Sequence, residues 1–184
     1  MKALKKIVLA VLVLPVLIVL GSFLLPSRYH VERSVVMKAS PEAVFEQVNR
    51  LKHWPEWTAW TVTDYPDMKI AFAGPESGVG AVYSWEGKSS GNGTLKITAS
   101  EPGKRVSYSL DFENGKHVSA GALAIEPDIV TPGALKVTWH NAGDLGANPV
   151  SRIFGLLMDR MMGPDFEKGL HNLKTRVEAR PAAP

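Results

Sequence analysis

The sequence predicts an α+β fold: a curved antiparallel sheet wrapped on a long C-terminal helix, in the order β-α-α-β6-α, preceded by one N-terminal transmembrane helix. Three observations predict it. Residues 7–25 carry no charge. Between residues 68 and 141, apolar and polar positions alternate in six short runs separated by turn signals. From Asn148 onward apolar residues recur at three and four positions, and this is the only element long enough to cover a sheet.

The N-terminal segment opens on Lys2, Lys5 and Lys6 and continues as "IVLAVLVLPVLIVLGSFLL". Its nineteen apolar or small residues, at ~1.5 Å of rise each, would extend ~28 Å, close to the thickness of one hydrocarbon core. Two readings compete, an uncleaved anchor and a cleaved signal peptide. The run exceeds the ordinary signal length and "GSFLLPS" holds no A-x-A, so the anchor is preferred. Lysines before the span put the N-terminus in the cytoplasm and the body outside it. Pro15 is tolerated in a spanning helix or kinks it.

The remaining length suits one domain. The chain has 21 basic and 18 acidic residues; without the three N-terminal lysines the two balance. No basic stripe with interleaved aromatics suggests a phosphate backbone, so no nucleic-acid partner is expected. Cysteine is absent, which excludes disulfides, thiol catalysis and Cys-ligated zinc.

Residues 29–39 read as a strand with Val31, Val35, Met37 and Ala39 on one parity; Arg33 shares it, leaving its side open. Residues 40–51 read as a helix, with Ser40 at the N-cap, Pro41 at N1, and Val44, Val48 and Leu51 as its apolar stripe. "HWPEWTAW" follows, interrupted by Pro55. Six strands come next. Ile70 and Phe72 share a face, as do Tyr83 and Trp85, Leu95, Ile97 and Ala99, Val106, Tyr108, Leu110 and Phe112, Leu123 and Ile125, and Leu135, Val137 and Trp139. Asn92-Gly93 is expected in a hairpin turn. Asn148 caps the last helix and Pro149 opens it; Gly163-Pro164 is expected to kink or interrupt it, and Phe166, Leu170, Leu173 and Val177 resume its stripe. Leu157, Met161 and Leu170 are expected to face the sheet.

The element order and the phrases "VERSVVMKASPEAVFEQVNRLKHWPEWTAW", "GVGAVYSWEGKSSGNGTLKI" and "MGPDFEKGLHNLK" resemble the SRPBCC superfamily, the START/Bet v 1-like helix-grip fold, over residues 29–178. Within it the chain is similar to bacterial proteins labelled polyketide cyclase/dehydrase-like, several of which carry an N-terminal membrane span. Three parts are expected: an N-terminal membrane anchor, or signal peptide, over 1–28, the ligand-binding domain that the resemblance implies over 29–179, and a tail over 180–184. The resemblance implies a single-pass protein of the bacterial inner membrane with its domain periplasmic or otherwise extracytoplasmic. The superfamily spans lipid carriers, hormone receptors, aromatic-ring cyclases and coenzyme Q carriers, and shares no catalytic motif, so no catalytic residue carries over.

A sheet gripping a helix leaves a cavity unless large side chains fill it. Tyr83, Trp85, Tyr108, Phe112 and Trp139 are expected to point inward beside Met158, Met161 and Met162, each an ordinary core residue on its own and a ligand-lining set together. Trp54, Trp57 and Trp60 read as core plugs, a pocket mouth or a membrane foot; Trp54 inclines to core, Trp57 and Trp60 to the mouth. No histidine spacing suits a metal, "GPESGVG" precedes a strand instead of a helix, and no cofactor is expected. The leading expectation is a carrier of a hydrophobic small molecule, lipid, isoprenoid or aromatic, held to the membrane by residues 7–25. The alternatives are a cyclase or dehydratase using Tyr83, Tyr108 or Arg33 as proton donor, and a structural domain with a filled core.

Overall fold

The computed structural model describes residues 12–14, 17, 19 and 21–179. Seven strands form one antiparallel sheet in the order β1-β7-β6-β5-β4-β3-β2. They are β1 (Arg28–Met37), β2 (Lys69–Ala73), β3 (Val82–Gly87), β4 (Gly91–Glu101), β5 (Arg105–Phe112), β6 (His117–Pro127) and β7 (Leu135–Asp144). β1 pairs with β7, so the chain crosses from one sheet edge to the other after β1 and then returns strand by strand. α1 (Pro41–Asn49) and a 3-10 helix (Leu51–Glu56) make the crossing.

The caps behave as their chemistry requires. Ser40 Oγ accepts the Ala43 amide proton at 3.2 Å, and Pro41 sits in the first turn, where its missing N–H costs nothing. Val44 and Val48 are buried with Leu51 and Trp54. The second helical segment is 3-10, not α, with Pro55 inside it. Three residues per turn put Trp54 and the capping Trp57 on one side.

The alternation is realised as an inner face of Val31, Met37, Tyr83, Leu95, Ile97, Val106, Tyr108, Leu123, Ile125, Leu135, Val137 and Trp139, all buried. Two expectations change. A bulge after Ile97 sets Ala99 opposite Ser107 and Ser100 opposite Val106, so Ser100 takes the inward side, where its hydroxyl donates to Asn49 Oδ1 at 2.7 Å. Asn92 and Gly93 lie within β4, and the turn falls at residues 88–90. Gly93 is needed there for space: a Cβ would meet the Trp85 ring.

The C-terminal helix breaks earlier than expected. α2 (Pro149–Gly155) ends where the Leu156 and Leu157 amides donate to Ile153 and Phe154 carbonyls, a tightened last turn, and α3 (Met158–Glu178) then runs through Pro164. Gly155, the last residue of α2, has weak helix propensity. Gly163 is a close-approach position, because the Arg33 guanidinium lies where its Cβ would be. α3 lies along β1 and buries Phe166, Gly169, Leu170, Leu173 and Val177. Leu157 and Met161, expected to face the sheet, are exposed instead: the break turns their stripe outward. Arg33, on the inner parity of β1, clasps α3 by pairing with Asp159 at 2.7 Å and Glu167 at 2.6 Å.

Among the described residues no helix is long and apolar enough to cross a membrane. Residues 1–11, 15, 16, 18 and 20 of the expected anchor, and 180–184 of the tail, lie outside the described residues.

Candidate functional site

The space between sheet and helix is filled at its centre by rings. Trp139 of β7 stacks on Phe166 of α3 at 4.1 Å with the planes 2° apart. Trp54, Trp57 and Trp60 meet the Trp139 ring at 5.9, 5.4 and 6.1 Å, tilted toward edge-on. Edge-to-face contact suits the ring quadrupoles, so one tryptophan organises three others. Trp54 is core, as expected. Trp57 is not at a mouth: it is fully buried, because the 3-10 turn delivers it inward against Trp139, whose ring α3 approaches closely at Gly169. Trp60 is half-buried at the edge of the cluster, against Trp139 and Phe166.

A buried polar chain runs beside the rings. The Tyr29 hydroxyl donates to Asn141 Oδ1 at 3.0 Å, and Asn141 Nδ2 donates to Ser119 Oγ at 3.2 Å and to the Tyr108 hydroxyl at 3.5 Å. Trp139 Nε1 donates to the same Tyr108 hydroxyl at 2.9 Å. Gly121 and Gly143 admit the Tyr108 and Tyr29 rings where a Cβ would collide. Burial pushes the Tyr108 phenol up to about 12, partly offset by the hydrogen bonds from Trp139 and Asn141, so it stays neutral. The sequence reading missed Tyr29, Ser119 and Asn141. The parity of Trp139 contains Asn141, and that was the available signal.

Toward the β2 edge the inner face is open. Phe72, Tyr83, Trp85 and Phe112 form a continuous aromatic row, with successive ring separations of 5.5, 5.6 and 6.2 Å. Trp85 and Leu110 are half-buried against the core, and Phe72 is exposed. The Tyr83 phenol is pushed up to about 12 by burial alone, with no hydrogen bond contributing. Its O–H is a neutral donor free to serve a ligand. Met158 and Met162 are half-buried against the core, whereas Met161 points to solvent, away from the other expected lining residues.

The charged alternatives sit elsewhere. The Asp159 and Glu167 carboxylates raise the Arg33 pKa further, which holds the guanidinium charged and unsuited to giving up a proton. Among the described residues no group of three His, Asp or Glu gathers as a metal site. Two surface grooves, about 290 and 550 Å³, lie outside the grip, one by α1 and one on the outer face of β2–β5, where Lys69, Ser84, Glu86, Thr94 and Asp111 line it.

The geometry can be set beside known proteins. A family model described as polyketide cyclase / dehydrase and lipid transport matches residues 28–178. No curated protein matches the chain. Among solved structures, CV1439 from Chromobacterium violaceum superposes with a TM-score of 0.58 at 14% identity, covering 83% of this chain and 99% of that one. The di-domain ARO/CYC BexL from the BE-7585A biosynthetic pathway gives 0.55 at 19% identity, covering 81% of this chain and 46% of BexL. Truncated norcoclaurine synthase from Thalictrum flavum gives 0.60 at 10% identity, covering 84% and 96%. At these identities the likeness to solved structures is one of fold, the helix-grip. The family match itself takes in the whole sheet together with α1, the 3-10 helix, α2 and α3, and the chain belongs to the polyketide cyclase/dehydrase and lipid transport family.

Proposed function

We propose that the chain is a membrane-tethered binding or carrier domain for a hydrophobic small molecule, a lipid, isoprenoid or aromatic compound. The observation that carries this reading is the half-open aromatic row on the inner face. Apolar surface left uncovered costs about 25 cal/mol per Å², and a ligand laid along Phe72, Trp85, Leu110 and Phe112 would recover it. The free Tyr83 hydroxyl would orient one polar atom of that ligand. The family description, which includes lipid transport, supports the same class. With the centre filled by rings, the ligand would lie toward the β2 edge instead of under α3. Of the residues expected to bind, Trp60, Tyr83, Trp85, Phe112 and Met158 remain candidates; Trp57, Tyr108 and Trp139 would act from behind as packing, and Met161 faces away.

The tether is residues 7–25, with the domain outside the cytoplasm of a bacterial cell. A second reading, a cyclase or dehydratase, draws on the family description and on the neutral phenols of Tyr83 and Tyr108. Native mass spectrometry of the full chain purified from its host membrane, with lipid extraction, tests the first. A co-purifying hydrophobic molecule is expected, and Trp85→Ala should lose it while the melting temperature moves little. A parent chain that carries nothing, and whose melting is unmoved by a hydrophobic probe, would overturn the carrier reading. A co-purifying molecule chemically altered on incubation with the chain would favour the enzyme.

A further inference from the structure

We infer that the elbow between α2 and α3 is a lipid-contacting pad, a second foot that sets the domain against the bilayer; this rests on the reading of residues 7–25 as the tether. Val150, Phe154, Leu156, Leu157 and Met161 are each between 44 and 61% exposed. Val150, Phe154, Leu157 and Met161 follow one another at four, three and four positions, the spacing of a helical stripe, yet the stripe faces away from the core. No residue of α2 is fully buried, and packing does not explain its exposed Val150 and Phe154.

The occupant is indicated by what adjoins the stripe. Arg152 Nη1 donates to the Phe23 and Leu25 carbonyls at 2.8 and 3.3 Å, so α2 is fastened to the end of the apolar N-terminal run. The Leu145 amide, just before α2, donates to the Ser27 carbonyl at 2.7 Å. Phe23 and Leu24 are themselves exposed. The apolar surface therefore continues from the run onto the elbow, at the level where a spanning segment would leave the hydrocarbon. Arg160 is exposed on the elbow, and Arg28 is exposed at the start of β1, as cations are at an interfacial helix. One such foot binds weakly on its own; joined to a span it fixes orientation.

That orientation has a use. Arg28 pairs with Asp144 at this end of the sheet, and the row through Phe112 and His117 ends there too. The aromatic row thus reaches the sheet end that the pad would set on the lipid, so an apolar ligand could pass between groove and bilayer with little exposure to water.

The chain has no cysteine, which makes single-site labelling clean. The full chain carrying Leu157→Cys is labelled with an environment-sensitive fluorophore in vesicles of phosphatidylcholine and phosphatidylglycerol. Ile129→Cys, 98% exposed at the far end of the sheet, is the control. Flotation after an alkaline wash reads the tether separately. In floating chains, the label at 157 should be quenched several-fold more than that at 129 by spin-labelled lipid, and less by iodide. Met161→Cys should repeat the result, which covers a disturbed elbow at 157. Floating chains with both elbow labels as open to iodide as 129 overturn the pad and leave the tether standing. Elbow labels shielded from both quenchers assign the face to a second copy and also overturn it. Chains that do not float overturn tether and pad together.

Discussion

Trp139 is the residue on which the interior turns: four rings contact it, and its indole N–H is answered by Tyr108. Trp139→Ala should cost ~3–5 kcal/mol, the usual penalty for emptying a buried aromatic site, and lower the melting temperature by about 10 °C in a domain of this size. Tyr108→Phe keeps the ring and removes the acceptor. It should cost ~1–3 kcal/mol, because the Trp139 N–H and an Asn141 proton lose their partner away from water. Thermal melts of the two variants separate packing from pairing. A third residue acts through pH. His140, on the outer face, has its pKa lowered from 6.5, first by desolvation and then by repulsion from His30 and Arg105, with Glu32 opposing. The unfolded chain therefore takes up the proton at higher pH than the fold does. Stability is full above about 6.5, falls as pH drops through that value, and levels off below the lowered folded pKa. His140→Gln should lose less melting temperature between pH 7.5 and about 5.5 than the parent does, and an equal loss in both would remove His140 as a cause.

At the scale of elements, α3 shows two leucines of opposite fate. Leu170 is buried on the helix that lies along β1, so Leu170→Asp should cost several kcal/mol and abolish cooperative melting. Leu157, just before α3, is exposed; in detergent Leu157→Asp should melt within about 0.5 kcal/mol of the parent. Circular dichroism melts check both. The same pair marks how far the sequence could be read. All seven strands, α1 with its Ser40 cap, and the stripe Phe166-Leu170-Leu173-Val177 follow from period and capping chemistry, which act locally. The break between α2 and α3 does not, because residues 150–162 are apolar on nearly every side and periodicity assigns such a stretch no unique face. Proline-based reasoning placed the interruption at Pro164, yet helix α3 continues through it. The site was legible in the same measure. Strand parity placed Tyr83, Tyr108 and Trp139 inward, whereas the burial of Trp57 and the chain of Tyr29, Asn141, Ser119 and Tyr108 depend on contacts between segments far apart in sequence.

For the whole molecule, the sheet's edge-to-edge order has a mechanical consequence. β1 follows directly from the N-terminal segment and is held both by β7 and, through Arg33, by α3. The proposed tether would therefore pull at residue 28 on an edge strand that is held from two sides, by β7 and by α3. The orientation proposed for the domain rests on charge. Lys2, Lys5 and Lys6 precede the apolar run while the rest of the chain balances 18 basic against 18 acidic residues, so the excess positive charge lies at the N-terminus. A reporter fused after Pro184 should be active only outside the cytoplasm; cytoplasmic activity would reverse the orientation. N-terminal sequencing of the mature protein adds a distinct outcome, since a start near Ser27 would mean that the run is cleaved as a signal. The domain would then keep the elbow alone. A single apolar foot gives marginal, reversible binding to lipid, so the cleaved protein should be released by a salt or alkaline wash that leaves the tethered one in place.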